Sequence, residues 1–108
     1  MDEEMIKDSE VGGSPLESRV IAVLRKYPVK RAAFFGSYAR GTYDEQSDID
    51  LLVDVPGSIG LEFYAMWDEL ETEVNRKIDL LTYFSVLNSK VDRFRNNIFN
   101  DLRWIYEE

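Results

Sequence analysis

Phe34-Phe35-Gly36-Ser37-Tyr38-Ala39-Arg40-Gly41, followed after a polar loop by Ser47-Asp48-Ile49-Asp50-Leu51-Leu52-Val53-Asp54-Val55, is the stretch whose reading decides the fold. Its second half alternates with period two. That places Ile49, Leu51, Val53 and Val55 on one face of a strand and Asp48, Asp50, Leu52 and Asp54 on the other. Two carboxylates two positions apart on one face, at about 3.3 Å rise per residue, repel each other in a partly desolvated site unless a cation lies between them. Oxygen ligands of this kind suit a hard ion such as Mg2+, held by one or two carboxylates and completed by substrate phosphates. The first half supplies the phosphate side. A strand that ends at Gly36-Ser37 and turns into a short helical segment offers backbone N–H groups, a hydroxyl and a helix N-terminus to an anion. Asp54 lies further along the acidic face and is left out of the site.

Composition narrows the chemistry. With no histidine and no cysteine, the chain lacks thiol nucleophiles, disulfides, zinc ligands of the usual kind and the commonest general base. Reaction chemistry must then rest on carboxylates and metal. At 108 residues with 44% apolar side chains, one domain with one core is expected. The net charge of −8 argues against a nucleic-acid surface, which needs clustered Lys and Arg. Residues 1–10 carry five acidic side chains and one Lys, and residues 1–13 read as a flexible acidic arm ahead of a domain over 14–108. No apolar run approaches the length of a membrane span, and an acidic start has the wrong polarity for a signal peptide. A cytoplasmic protein without membrane contact is expected.

Taken in order, Ser14-Pro15-Leu16-Glu17 combines an N-cap, proline at the first helical position and a Glu three residues after the cap. A helix over 15–26 is predicted, with Leu16, Val20, Val23 and Leu24 on its apolar face and Pro28 ending the segment. Val29 to Phe35 reads as the first and central strand, delivering Gly36. Residues 42–47 are loop. Pro56-Gly57-Ser58-Ile59-Gly60 breaks the chain after the second strand and is expected to form a mobile segment near the site. From about Leu61 to Asn75, Phe63, Met66, Trp67, Leu70 and Val74 recur at helical spacing as a core stripe. Lys77-Ile78-Asp79-Leu80-Leu81-Thr82 reads as a third strand, with Asp79 the candidate third carboxylate. Ser85 or Ser89 is expected to cap one helix through about Asn97, with Val86, Leu87, Val91, Phe94 and Ile98 apolar positions. Leu102 to Tyr106 reads as an edge strand or a short helical turn. Alternating strands and helices imply an α/β domain of two or three layers.

Gly36-Ser37, ten intervening residues, then Asp48-Ile49-Asp50 flanked by apolar positions resembles the signature of the DNA polymerase beta-like nucleotidyltransferase superfamily. Taken with Tyr38-Ala39-Arg40-Gly41 and Leu51-Leu52-Val53, it is similar to the minimal nucleotidyltransferases, the antitoxin half of HEPN/MNT toxin–antitoxin pairs. The resemblance implies a single small nucleotidyltransferase-fold domain with a mixed β-sheet of three or four strands packed with helices. It also implies transfer of AMP from ATP to a hydroxyl, with two Mg2+ ions held by Asp48, Asp50 and Asp79 as catalytic carboxylates. Gly36 and Ser37 would hold the β and γ phosphates. Arg40 either touches the triphosphate or ties the acidic strand by a salt bridge. Asp79 is alternatively an ion-pair partner of Arg76, Lys77 or Arg40.

The acceptor is not written in these residues; at about 108 residues no acceptor-binding domain beyond the core is expected, so another molecule is expected to bring it. By resemblance the partner is a HEPN-family toxin, neutralised by addition of AMP to a toxin hydroxyl. Two rivals stand beside that expectation. One is a subunit that adenylylates a small molecule such as an aminoglycoside or lincosamide. The other is a non-catalytic antitoxin that blocks its partner by contact.

Overall fold

The computed structural model describes residues 15–44 and 46–108. The expected acidic arm over 1–13, the Ser14 cap and the loop residue Glu45 lie outside the described residues. Helix α1 (Pro15–Leu24) leads through a turn at Pro28 into strand β1 (Arg31–Phe35) and the one-turn helix α2 (Ser37–Arg40). Strand β2 (Ile49–Asp54) is followed by a 3-10 turn (Gly57–Ile59) and helix α3 (Glu62–Val74). Strand β3 (Ile78–Thr82), helices α4 (Tyr83–Leu87) and α5 (Asp92–Asn100) and strand β4 (Arg103–Glu107) complete the order. The sheet runs β3-β2-β1-β4. It is mixed, because β2 and β3 are parallel while β1 pairs antiparallel with both β2 and β4. The final stretch therefore resolves as an edge strand.

The alternation in β2 divides the interior into two. Ile49, Leu51 and Val53 face α1 and α3 and join Val20, Leu24, Met66, Leu70, Ile78 and Leu80 in the larger core. Leu52, on the opposite face, packs with Val86 of α4 and Ile98 of α5. The sheet is thus covered on both faces, and the second cover is thinner. Asp50 lies on that second face, one pleat from Leu52. The β3 end is fixed from α3. Trp67 Nε1 donates to the Ile78 carbonyl at 2.8 Å, and the Glu71 carboxylate accepts from the Ile78 N–H at 2.9 Å. Helix α3 stops at Asn75, whose φ of 55° is the left-handed conformation that Asn tolerates at a helix end. No helix among the described residues is long and apolar enough to cross a membrane.

Two expectations are corrected. The helix foreseen from Ser85 or Ser89 to Asn97 is two helices, and Thr82 caps the first through a bond from the Ser85 N–H to its hydroxyl at 3.1 Å. Polar side chains at the break compete for the backbone: Ser89 Oγ accepts from the Val91 N–H at 3.1 Å, and Asn88 donates to the Phe84 carbonyl at 2.8 Å. Leu87, Val91 and Phe94 consequently stay exposed, and only Val86 and Ile98 of that predicted face are buried. The break at 56–60 also lies elsewhere than expected. It follows the Asp54 end of β2, four strand residues or about 13 Å from Asp50, and does not flank Asp48 or Asp50.

This division of the core predicts that Leu70→Ala will lower unfolding free energy by about 2 to 5 kcal/mol. Leu87→Ser should change it by about 0.5 kcal/mol or less. Urea denaturation followed by circular dichroism checks both.

Candidate active site

At the end of β1 the backbone turns at Gly36, whose φ of 66° and ψ of −143° belong to a region that side chains all but exclude. A Cβ placed there would stand 2.3 Å from Oδ2 of Asp50. Lack of a side chain is therefore what lets the turn lie against that carboxylate. The two meet because Phe35 is the register partner of Asp50 across β1 and β2. Ser37 opens α2, in which the Gly36 carbonyl accepts from the N–H groups of Ala39 and Arg40 at 3.1 Å each. Gly41, at φ 77°, ends the turn.

Across the parallel pair, Asp50 is the register partner of Asp79, at the usual strand spacing of about 4.8 Å. The next residues, Leu51 and Leu80, enter the larger core, so both carboxylates share the opposite face. Asp48 lies one residue before β2 and is exposed. Burial raises the pKa of Asp50 above the ordinary carboxylate value, Asp79 and then Asp48 push the same way, and Arg40 opposes them. Asp79 is exposed and has no ion-pair partner among the described residues. Asp54, left out of the site, bonds instead to Arg31 at 3.4 Å.

Arg40 donates to Asp101, just past the end of α5, at 2.9 Å. With side chains 51% and 36% exposed, this is a surface pair worth about 0 to 1 kcal/mol. It ties α2 to α5 and not to the acidic strand, although the Arg40 charge still reaches Asp50. Arg76, read from sequence only as an alternative partner of Asp79, donates instead to the Tyr38 hydroxyl and to the carbonyls of Asp44, at 3.0 Å, and Ser47. Burial raises the pKa of Tyr38, partly offset by Arg76. Sequence reasoning passed over Tyr38 and Asp101. The one signal for Arg76 was its place at the turn directly before the Asp79 strand.

Among the described residues no three acidic or other ligating side chains converge into a closed metal cage. The arrangement fits Mg2+ in its commoner protein setting, where one or two carboxylates hold the ion and phosphate oxygens and water complete it. Paired carboxylates whose repulsion a cation relieves meet that requirement, and the Gly36 turn leaves the approach to Asp50 free of side-chain bulk. A groove of about 620 Å³ lined by Val55, Pro56, Ile59, Tyr64, Phe84 and Leu87 opens at the other end of β2 and β3, and none of the candidate residues lines it. Its walls offer apolar contact and no paired carboxylates.

A raised carboxylate pKa has a definite sign in stability. The protonated form is favoured by folding, so that contribution is present below the unfolded pKa and is lost as pH rises through the folded value. Asp50 thus opposes folding at neutral pH. Asp50→Asn should raise the metal-free melting temperature at pH 7, and the gain should vanish as pH falls below the ordinary carboxylate pKa of about 3.9. Thermal melts across pH check this, and a lower melting temperature at pH 7 would contradict it.

Known proteins show the same architecture. The nucleotidyltransferase domain family matches residues 18–105. A candidate protein adenylyltransferase of Methanocaldococcus jannaschii, MJ0435, is 40% identical over 82 residues, which cover 75% of this chain and 88% of that protein. Among solved structures, a candidate minimal nucleotidyltransferase is 25% identical with a TM-score of 0.63, covering 81% of this chain and 86% of its own. The MNT antitoxin in complex with a tri-AMPylated HEPN toxin of Shewanella oneidensis shares the fold at 19% identity and a TM-score of 0.62, over 86% of this chain and 71% of that one. With the family matched across most of its length and a relative 40% identical over three quarters of it, the chain belongs to the nucleotidyltransferase domain family.

Proposed function

We propose that this nucleotidyltransferase moves AMP from ATP to a hydroxyl of a HEPN-type toxin and so acts as the antitoxin of that partner. The observation that carries the reading is the meeting of the Gly36 turn with Asp50, beside Asp79 on the neighbouring strand. The names of similar proteins, a protein adenylyltransferase and an MNT antitoxin in complex with an AMPylated toxin, support the donor and the acceptor class. A carboxylate held against a backbone turn and next to a second carboxylate costs stability, and a protein that only binds its partner has no physical use for it.

In this reading Gly36 and Ser37 receive the β and γ phosphates through backbone N–H groups and the Ser37 hydroxyl. Asp48, Asp50 and Asp79 would hold Mg2+, two ions in the two-metal form of such sites. When bound, the metal neutralises triphosphate charge and lowers the pKa of the acceptor hydroxyl. Arg40 adds positive potential beside Asp50. Asp79, exposed on the sheet-edge strand, orients the acceptor hydroxyl and takes its proton. The acceptor oxygen then bonds to the α phosphorus, the bond from that phosphorus to the bridging oxygen breaks, and pyrophosphate leaves. Positioning and charge neutralisation supply the rate, so no nucleophilic side chain is needed.

Incubation with ATP, Mg2+ and the HEPN-type partner should add one or more AMP units to the partner by intact-mass spectrometry. A partner that is inhibited but unmodified would overturn the reading in favour of inhibition by contact. Asp48→Asn should abolish transfer. Asp79→Asn should separate the steps: MgATP affinity within several-fold of wild type, and transfer slowed by orders of magnitude, because only the transition state uses the activated hydroxyl. Near wild-type transfer by Asp79→Asn would remove that residue from the site.

A further inference from the structure

The three sequence segments that make the site come from three different places in the chain, and one side chain touches or borders all of them. Arg76 stands between the α3 cap Asn75 and the start of β3, three residues before Asp79. One arm of its guanidinium, Nη1, donates to the Tyr38 hydroxyl, one residue after Ser37. The other arm, Nη2, donates to the Asp44 carbonyl at 3.0 Å and to the Ser47 carbonyl, one residue before Asp48. Its guanidinium also lies 5.2 Å over the Tyr38 ring, and that ring stacks on Tyr43 at 4.0 Å and 9°. The loop before Asp48 is therefore fastened by a ring stack at its start and by the guanidinium fork at Asp44 and Ser47. Backbone pairing continues the fastening, since the Ile49 N–H donates to the Lys77 carbonyl at 3.1 Å.

We propose that Arg76 is a positioning residue for nucleotidyl transfer, its forked guanidinium setting the spacing between the Gly36-Ser37 turn, the Asp48–Asp50 segment and Asp79. The inference rests on the nucleotidyl-transfer reading of the site. All three acceptors are neutral, a phenol and two carbonyls, so the side chain serves as a planar five-donor connector and not as one half of an ion pair. Tyr38 is buried, which fixes one end of the connector in the larger core. Asp48 is exposed and precedes the first β2 residue; bonds between Asp44 and Ser47 close the turn before it on itself, and the Arg76 fork is what ties that turn to Tyr38 and to the start of β3. Groups that orient carboxylates toward a metal alter affinity and rate without touching the substrate.

The test compares Arg76→Lys, Arg76→Ala and Tyr38→Phe with wild type by MgATP calorimetry and amide hydrogen exchange. A lysine keeps the charge but cannot span both arms of the fork. Both Arg76 variants should weaken MgATP binding by about tenfold or more, with Tyr38→Phe in between, and exchange at 46–50 should quicken while β1 and β4 stay protected. Transfer should fall by about 10²-fold. Wild-type MgATP affinity and unchanged exchange at 46–50 in Arg76→Lys would overturn the proposal, as would full rescue of both by lysine after their loss in Arg76→Ala. Should Arg76→Ala not fold, Arg76→Lys and Tyr38→Phe decide it on the same two readouts. Exchange at 46–50 needs neither nucleotide nor acceptor, so it reports on Arg76 even if wild type fails to modify its partner, the outcome that defeats the function proposed above.

Discussion

Contact between the Gly36 backbone and the Asp50 carboxylate is the constraint on which the rest of the structure depends. It requires a residue without a side chain at positive φ, a register that sets Phe35 opposite Asp50, and a parallel neighbour that sets Asp79 beside it. Each requirement works against stability. The turn forbids ordinary residues, and Asp50 loses hydration while facing two like charges. Such local cost is tolerated where the surrounding structure over-determines the geometry.

That surrounding structure is asymmetric. The face of the sheet away from the carboxylates packs a continuous core from α1 and α3, and hydrogen bonds from Trp67 and to Glu71 lock the entry of β3. The carboxylate face carries the smaller Leu52–Val86–Ile98 cluster. A deep core behind β2 and a thin cover in front of it let the acidic end of the strand remain open while its backbone stays fixed. Stability and access are thereby assigned to opposite faces of one strand.

Much of this was legible in the chain. The period-two pattern of β2 is read directly from Ile49, Leu51 and Val53, because a strand buried on one side cannot hide its alternation. Asp79 stood out as a lone charge in an apolar run, and the register later set it beside Asp50. Helix ends between Leu87 and Asp92 were not legible, since Ser and Asn at a break resemble Ser and Asn at a cap, and apolar residues there looked like core. Nor were the partners of Arg40 and Arg76. Pairing of a long cationic side chain depends on which distant carbonyl or carboxylate the fold brings within reach, here Asp101 and Ser47, and no local pattern encodes that distance.

Gly36, Asp48, Asp50 and Asp79 are proposed to form one site for a divalent ion and a triphosphate. Paramagnetic broadening by Mn2+ with AMP-PNP, followed residue by residue in a 15N NMR spectrum, tests it most directly. Broadening should centre on the amides around Gly36–Tyr38, Asp48–Asp50 and Ile78–Leu80, with the groove formed by Pro56, Tyr64, Phe84 and Leu87 unaffected. Broadening centred on that groove, or uniform weak broadening across the acidic surface, would contradict it.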